Sequence, residues 1–286
     1  MSEPSITGST LYVVATPIGN LEDISPRALG VLSGVDFILC EDTRHSSILL
    51  DHYQIKKRLV SYYAHNEALR TDQFIPALLE GQSAAIITDA GSPGVSDPGS
   101  RIVAACHEAG IRVCPLPGCS AVVAAISAAG FYGSPSFRFI TFFPRKQSER
   151  VEVFERVKTE PDVLVGYESP QRIESLIEDA VRVLGPDWRV CLCRELTKRF
   201  EEIARSTLGE LLARLKAEPI KGEICLVFEG GTAPTRASHE LGEDAMRLIE
   251  TMKAQGVSSR DIRDIVSKHF ELKPKVVYQY ILDHGD

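Results

Sequence analysis

The stretch Thr88-Asp89-Ala90-Gly91-Ser92-Pro93-Gly94-Val95-Ser96-Asp97-Pro98-Gly99 directly follows the apolar run Ala84-Ala85-Ile86-Ile87. The run is short, ends in β-branched residues and is bounded by turn residues, which predicts a buried strand. Loops at the carboxyl ends of parallel strands bind ligands in α/β proteins. Glycine and proline make this loop sharply turned and low in bulk, so a ligand can approach its backbone. We therefore predict a ligand-binding loop, although an ordinary strand-to-helix connection would have a similar composition.

Strand-like runs and helix-like segments alternate around this loop. In the first half of the chain we predict strands at 11–15, 37–40, 59–63, 84–88 and 112–116. The most distinct helices between them are 66–79 and 97–109, the second with Asp97-Pro98 as its capped start. This alternation implies right-handed crossovers and a mainly parallel sheet.

A second α/β series follows a Gly-, Pro- and Ser-rich junction at 131–135. Its predicted strands are 137–143, 163–167, 189–193 and 223–228, and its predicted helices are 151–158, 169–184 and 208–216. A linker is predicted at 230–234. Beyond it, short helices at 245–254, 258–270 and 274–282 have a helix-turn-helix-like spacing, which is a weak pattern by itself. The resulting domains are 1–132 and 133–232, followed by a helical tail at 240–286.

The composition bounds the class of protein. Of the 286 residues, 44% are hydrophobic and 25% charged, as in globular proteins, and no apolar run approaches the roughly 20 residues of a membrane span. The polar start of the chain lacks a signal-peptide pattern, and the odd count of seven cysteines fits reduced thiols. We therefore expect a cytoplasmic protein. A net charge of −7 argues against indiscriminate nucleic-acid binding but leaves room for a local basic cleft.

Several common catalytic motifs are missing from the sequence. There is no G-x-G-x-x-G after the first strand, no phosphate-binding G-x-x-x-x-G-K-[ST], no H-E-x-x-H and no G-x-S-x-G. The spacing of Cys191-Leu192-Cys193 does not match a zinc knuckle, so we expect no metal site. Hydrolases that use a hydroxyl nucleophile or a metal therefore have no support in the sequence.

A series of short motifs instead falls at the predicted strand ends. In chain order they are T-P-I-G-N-L-x-D-I-S, E-D-T-R-H, T-D-A-G-S-P with D-P-G, P-L-P-G, F-F-P-R-K, Y-E-S-P-Q-R, R-E-L-T-K and K-G-E. Together they resemble the tetrapyrrole-methylase-like superfamily of S-adenosylmethionine-dependent methyltransferases. Within it, the chain is most similar to the ribosomal RNA small-subunit methyltransferase I family, which methylates a cytidine 2′-hydroxyl in the decoding region of 16S ribosomal RNA.

The resemblance implies a fold and a cofactor site. It implies two α/β domains, the first with a parallel and the second with a mixed sheet, a small helical tail, a homodimer, and S-adenosylmethionine in the cleft between the domains. Carried over residue by residue, the cofactor contacts are Pro17, Gly19, Asp89, Gly91, Ser92, Cys119, Ser120, Tyr167 and Glu223. Tyr167 and the residues before Glu223 would approach the adenine from the second domain.

Methyl transfer to a ribose oxygen requires in-line placement, exclusion of water, and a base or charge that favours the alkoxide. The candidates for that base or charge are Glu41, Asp42, Glu168, Glu195 and Lys198. The lysine would act as a base if burial lowered its pKa, and as an electrostatic stabiliser if it stayed charged. The acids would equally serve as loop caps or as partners of nearby arginines, and the sequence does not choose among these roles.

RNA contacts are expected from basic residues near the cleft mouth. The candidates are Arg44, Arg145, Lys146, Arg172, Arg194 and Lys198, together with Arg150, Arg199, Lys268, Lys273 and Lys275. Each alone would equally be a solvated surface residue. Tyr62, Tyr63 and His65 are candidates for stacking on a flipped nucleotide, with core packing as the alternative for at least one tyrosine.

Two alternative functions remain open at this point. One is an enzyme of the same fold with another acceptor, such as a precorrin-type methylase or a diphthine synthase, although neither calls for the E-D-T-R and R-E-L-T-K motifs. The other is a non-catalytic sensor that binds the cofactor and uses its tail to bind DNA. The acidic balance of the chain and its lack of a strongly basic recognition helix argue against the sensor.

Overall fold

The first sheet of the protein is entirely parallel. In the computed structural model, which describes residues 6–132, 136–231, 241–270 and 272–284, its strands are β1 (Thr10–Val14), β2 (Phe37–Cys40), β3 (Arg58–Ser61), β4 (Ser83–Ile87) and β5 (Arg112–Leu116). They lie in the order β3-β2-β4-β1-β5. β2 and β4 are buried along their whole length because helices cover both faces of the sheet. The alternation in the sequence predicted this sheet correctly.

Five helices belong to the first series. They are α1 (Pro26–Gly34), α2 (Thr43–His52), α3 (Glu67–Leu79), α4 (Ser100–Glu108) and α5 (Ala121–Ala129). The predicted start of α4 at Asp97 was wrong, because Gly99 turns the chain with φ +133° and the helix begins only at Ser100. Asp97 therefore stays in the loop. The E-D-T-R motif is likewise not all loop, since Asp42 caps α2 and Thr43 begins it.

The second sheet is mixed. Its strands are β6 (Phe137–Phe142), β7 (Val163–Glu168), β8 (Arg189–Arg194), β9 (Glu202–Thr207) and β10 (Ile224–Phe228), in the order β6-β7-β10-β8-β9. Only β6 and β7 are parallel neighbours. The helices of this series are α6 (Gln147–Thr159), α7 (Ile173–Leu184) and α8 (Leu208–Ala217).

Two local predictions in this series were wrong or incomplete. The sequence analysis missed β9, because its residues Glu-Ile-Ala-Arg-Ser-Thr form a half-exposed edge strand with little apolar signal. It also began α7 at Ser169, whereas the helix starts at Ile173 after the turn that contains Pro170.

Helix α5 joins the two sheets into one body. Val122, Ala125 and Ala129 of this helix pack with Val165 and Val227 of the second sheet. This contact explains why the alanine-rich helix has no polar face. Residues up to Gly230 form one compact unit. The predicted domain boundary and linker fall partly on residues 133–135 and 232–240, which lie outside the described residues, so they stay predictions.

The tail forms a separate unit with its own small core. Its helices are α9 (Glu243–Ala254), α10 (Ser259–His269) and α11 (Pro274–Asp283), close to the predicted positions. Ile249, Ile262, Val266, Val277 and Ile281 are buried together in it. Of the helices in the described ranges, none is long and apolar enough to cross a membrane.

Candidate active site

The quoted loop lies at the carboxyl edge of the first sheet and forms one wall of a cavity of about 290 Å³ between the two sheets. The cavity is lined by Ile18, Ala90, Gly91, Ser92, Val95, Ser96, Asp97, Ser120, Ala121, Phe142, Tyr167, Glu168, Cys193, Leu196, Glu223, Ile224 and Cys225. The first sheet therefore contributes turns and a helix start, while the second contributes strand residues and aromatic rings. We refer to this space as the first cavity.

A second cavity of about 270 Å³ adjoins the first. It is lined by Thr16, Pro17, Ile18, Gly19, Leu21, His45, Ser46, Ile48, Leu49, Thr88, Asp89, Ala90, Lys198 and Glu223. Ile18, Ala90 and Glu223 line both spaces. The two cavities are therefore neighbours along one cleft, so two ligands bound in them would meet at these three residues.

The loop after β1 is hydrogen-bonded to the loop after β4. Thr16 and Gly91 exchange backbone hydrogen bonds of 2.9 and 3.0 Å, and Thr16 Oγ1 donates to the carbonyl of Thr88 at 2.9 Å. Gly91 has φ +83°, a conformation that favours glycine. These bonds join the T-P-I-G-N motif to the T-D-A-G-S-P motif, which explains why both motifs serve one site.

The R-E-L-T-K loop of the second sheet packs tightly on the T-P-I-G-N loop. Glu195 and Thr197 adopt left-handed backbone conformations with φ +50° and +65°. Asn20 N donates to Thr197 Oγ1 at 3.1 Å. A Cβ atom on Gly19 would lie 2.5 Å from Lys198 Cγ and 2.7 Å from Thr197 Oγ1. Glycine at position 19 is therefore required for this approach of the two loops.

Replacing Gly19 by alanine is expected to lower kcat roughly 10- to 100-fold, because displacement of reacting groups by about 1 Å has effects of this size. The new methyl group would push Lys198 out of position. The measurement is methyl transfer at saturating substrates. Gly242→Ala is the control, because a Cβ on Gly242 meets nothing within 4 Å. A Gly19→Ala variant with unchanged kcat would contradict the tight contact.

Carboxylates gather where the two cavities meet. Burial, together with the negative charges of Glu41 and Asp89, raises the pKa of Asp97 to about 6. Burial and the charge of Asp89 also raise the pKa of Glu41. Asp42 N donates to Asp89 Oδ1 at 3.3 Å. The first cavity therefore presents an acidic end that a positively charged ligand would stabilise.

Three of the five catalytic candidates do not line either cavity. Hydrogen bonds from Arg44 hold the pKa of Asp42 well below its usual range, and Asp42 serves as the cap of α2. Glu41 is partly buried beside Asp89. Glu195 accepts a hydrogen bond from Glu223 N at 2.9 Å, which lowers its pKa. The structure thus gives Asp42 and Glu195 structural partners.

The other two candidates, Glu168 and Lys198, line the cavities but differ in their burial and in their ion-pair partners. Glu168 is buried, accepts from Ser169 N at 2.7 Å and pairs with Arg172 at 2.6 Å. Lys198 Nζ lies 3.1 Å from Glu195 and 2.9 Å from Glu223. Partial burial works against its charge, but the two carboxylates outweigh burial and raise the pKa of Lys198. Its position therefore favours a charged stabiliser over a base.

The predicted cofactor contacts divide between the two cavities. Gly91, Ser92, Ser120 and Tyr167 line the first cavity only; Pro17, Gly19 and Asp89 line the second only; Glu223 lines both. Cys119 lines neither, but its carbonyl accepts a hydrogen bond of 3.1 Å from Ser92 Oγ. Burial raises the pKa of Tyr167 to about 12, so its hydroxyl stays neutral.

The predicted RNA contacts fall into free and paired groups. Arg44, Arg145, Lys146 and Arg199 are exposed, although Arg44 and Lys146 pair with Asp42 and Glu149. Lys268, Lys273 and Lys275 are exposed in the tail. Arg172 pairs with Glu168, and Arg194 Nε lies 3.0 Å from Glu202. These last two are already engaged in ion pairs.

One suggested RNA contact, Arg150, was wrong, and for Tyr62 the core-packing alternative holds. Arg150 is buried and its Nη2 lies 2.6 Å from Asp179 Oδ2, so it is a core residue. Tyr62 is also in the core, where its hydroxyl hydrogen-bonds Thr71 Oγ1 at 3.0 Å. Tyr63 and His65 are exposed and face each other edge to face, so only they remain accessible to a nucleotide.

Several lining residues were missed by the sequence analysis. They include Asp97, which was interpreted as a helix cap, and Val95, Ser96, Leu196, His45, Ser46 and Thr88. Most of them are inside or next to the recognised motifs. Their position beside the motifs was the feature of the sequence that could have identified them as cavity residues. Across the described ranges, no three His, Cys, Asp or Glu side chains converge as a metal site requires.

Comparisons with known proteins agree with this architecture. The family model Tetrapyrrole (Corrin/Porphyrin) Methylases matches residues 10–212. Cobalt-precorrin-4 methyltransferase has a similar structure with a TM-score of 0.57 and 15% identity, covering 77% of this chain and 95% of that one. Diphthine synthase has a TM-score of 0.57 and 14% identity, covering 78% and 91%. At these identities the two structures establish the fold alone.

Closer relatives share a single description. A protein of Escherichia coli O157:H7, named ribosomal RNA small subunit methyltransferase I, is 42% identical over 277 residues, which cover 96% of this chain and 94% of that protein. A Halalkalibacterium halodurans protein of the same name is 44% identical over 221 residues, covering 77% and 76%. The chain therefore belongs to the ribosomal RNA small subunit methyltransferase I family, within the tetrapyrrole methylases.

Proposed function

We propose that the protein transfers a methyl group from S-adenosylmethionine to the 2′-hydroxyl of a decoding-region cytidine in 16S ribosomal RNA of the small ribosomal subunit. The observation that carries this proposal is the pair of adjoining cavities, one with an acidic end and one open to a second ligand. The names of the relatives support ribosomal RNA as the substrate. The family resemblance supports the cytidine 2′-oxygen and a cytoplasmic homodimer.

The residues of the first cavity fit the cofactor in charge and shape. Asp97 supplies a carboxylate that has no cationic partner among the described residues, which suits a sulfonium or ammonium group. Ser120 caps the N-terminus of α5. Because a helix N-terminus attracts negative charge, this end of the cavity favours a carboxylate. Tyr167 and Phe142, whose ring centroids are 5.6 Å apart, supply an apolar surface for a flat ring. Gly91 has no side chain, so a ligand can approach the backbone at this position of the first cavity.

When bound, S-adenosylmethionine supplies a methyl group activated by the positive charge of its sulfur. The chain has to hold the acceptor oxygen in line with that methyl group and exclude water. Ile18 and Ala90 line both cavities, so their apolar side chains border the place where donor and acceptor would meet. Lys198, held charged by Glu195 and Glu223, stabilises negative charge that develops on the acceptor oxygen.

Cofactor affinity is expected to rise about tenfold between pH 5 and pH 7.5, because one pKa unit of coupling corresponds to a factor of ten. The pKa of Asp97 is about 6, so its carboxyl group is mostly neutral at pH 5 and charged at pH 7.5. A cationic ligand binds the charged form more tightly. Calorimetry over this pH range measures the effect. Asp97→Asn should bind the cofactor weakly, with an affinity that does not change with pH. Asp51→Asn, at an exposed position, should keep the wild-type pH dependence. A steep pH dependence in Asp97→Asn would refute the assignment.

The test of the function is transfer of labelled methyl groups to small ribosomal subunits from cells that lack this protein. We expect one methyl group per subunit, on a cytidine 2′-oxygen. Subunits already methylated at that oxygen should accept none. Transfer to another atom or another substrate class would contradict the proposal. Binding of the cofactor without any turnover would favour a sensor.

A further inference from the structure

The second cavity has the composition of a nucleoside pocket. Its walls are largely apolar, with Leu21, Ile48 and Leu49 among them. Its polar groups come from α2, from the loop after β4, from Thr16, and from Lys198 and Glu223 of the second series. A volume of about 270 Å³ is near the lower limit of small-molecule pockets, roughly 300 Å³. A cavity that combines apolar walls with several polar groups suits a flat base that has left its stack.

Two buried hydroxyls in this cavity have no adequate partner within the described residues. Ser46 and Thr88 are each 2% exposed, and Ser46 Oγ and Thr88 Oγ1 lack hydrogen-bond partners there. Ser46 interacts only with the thiol of Cys40, a weak hydrogen-bonding group. Leaving a buried hydroxyl unsatisfied costs about 1–3 kcal/mol, so these two positions favour a polar ligand.

His45 stands beside these hydroxyls at the mouth of the same cavity. It is in the first turn of α2, next to Ser46 in the chain, and its side chain is exposed. Within the described residues, no hydrogen bond engages its imidazole. Asp89 and Lys198 line the cavity with it. An imidazole at this position is free to contact a ligand that enters from solvent.

We propose that His45 is the general base of the reaction, acting on a pyrimidine ribonucleotide whose base is bound by Ser46 and Thr88 in the second cavity. This role rests on the proposed function. The ribose O–H bond breaks and its proton goes to an imidazole nitrogen. The oxygen forms the new bond to the methyl carbon, and the electron pair of the broken carbon–sulfur bond returns to sulfur. Positive charge thus passes from sulfonium to imidazolium, and the total is conserved.

Two other ionisable groups of the cavities, Lys198 and Glu168, are less suited to accept this proton. Lys198 is held in its charged form by Glu195 and Glu223. Glu168 is committed to Arg172 and to Ser169 N. Histidine is the side chain that serves most often as a general base near neutral pH. His45 thus combines suitable chemistry with free access.

The first test compares His45→Gln with His52→Gln, an exposed histidine on the same helix that lines neither cavity. We expect His45→Gln to lower kcat about 10²- to 10⁴-fold, the usual contribution of a general base, with cofactor affinity within about twofold of wild type. Imidazole added to a His45→Gly variant should restore part of the rate. His52→Gln should behave as wild type. A His45→Gln kcat within about threefold of wild type, or an equal loss of cofactor affinity, would overturn the proposal.

The second test measures RNA binding to the cofactor-free protein, independently of turnover. A short hairpin that contains the target cytidine should shift the imidazole ¹⁵N resonances of His45 and leave those of His52 unchanged. Ser46→Ala should weaken hairpin affinity about tenfold, the effect of roughly 1.4 kcal/mol from a lost hydrogen bond. Ser47→Ala is the matched control, since its hydroxyl bonds Arg44 O on the same helix. Unmoved His45 resonances, or equal effects of the two serine variants, would refute the pocket.

These experiments separate the two proposals. If the wild-type protein methylates no ribose 2′-oxygen, the proposed function fails before any variant is compared. If the wild type methylates it and His45→Gln does so equally well, only the assignment of His45 fails.

Discussion

Lys198→Met is expected to lower kcat about 10²- to 10³-fold, the usual cost of removing one preorganised donor to a developing oxyanion. Methionine keeps an unbranched apolar stem and removes the charge. Lys198 Nζ is held by Glu195 at 3.1 Å and by Glu223 at 2.9 Å, and its side chain lines the second cavity. The ammonium is therefore in place before the reaction begins, which is what makes such a charge effective.

The measurement is single-turnover methyl transfer at saturating cofactor, with cofactor affinity followed by calorimetry. Lys216→Met is the matched control, because Lys216 forms an ion pair of 2.8 Å with Glu178 and lines neither cavity. We expect Lys216→Met to transfer methyl groups at the wild-type rate. A Lys198→Met variant that loses only RNA affinity, with kcat unchanged, would show that this charge binds phosphate instead.

Asp179→Ala is expected to destabilise the protein by about 3–5 kcal/mol, because it leaves a buried guanidinium without its counter-ion. Asp179 is 1% exposed and accepts bonds of 2.8 and 2.6 Å from Arg150 Nε and Nη2. Gln147 Nε2 donates to the same carboxylate at 2.7 Å. The pair fixes α6 against α7 in the second series.

Urea unfolding measures this loss. Glu178→Ala is the control, because the neighbouring residue Glu178 forms an exposed pair with Lys216 and such pairs contribute about 0–1 kcal/mol. The double variant Arg150→Met with Asp179→Leu should recover most of the stability, since apolar residues of similar volume often replace a buried ion pair without loss. Equal losses of unfolding free energy in Asp179→Ala and Glu178→Ala would mean that the buried pair stabilises the protein no more than an exposed pair does.

Most helices and strands followed from local periodicity and capping. The apolar run before the quoted loop predicted β4, and the tail helices were predicted within a few residues. These features depend on neighbours in the chain, which a sequence displays directly. β9 was missed because an edge strand buries little and its apolar pattern is weak.

The motifs at the strand ends established the family and the region of the site, since the carboxyl ends of parallel strands meet at one edge. The motifs did not predict that this region contains two separate cavities. Pro17 and Gly91 belong to different cavities, although both were expected in one cofactor pocket. Arg150 was expected on the surface and is buried by Asp179, a residue 29 positions away in the chain.

The sequence by itself determined the type of each major element, the two α/β series and the loops that face the cleft, because these depend on short-range pattern. Only the tertiary structure decided that Asp97 is a cavity residue with a raised pKa, that Lys198 is held charged, and that Ser46 and Thr88 lack partners among the described residues. The physical reason is that burial and charge at each side chain depend on strand order and on the packing of α5 against the second sheet, which bring together residues far apart in the chain.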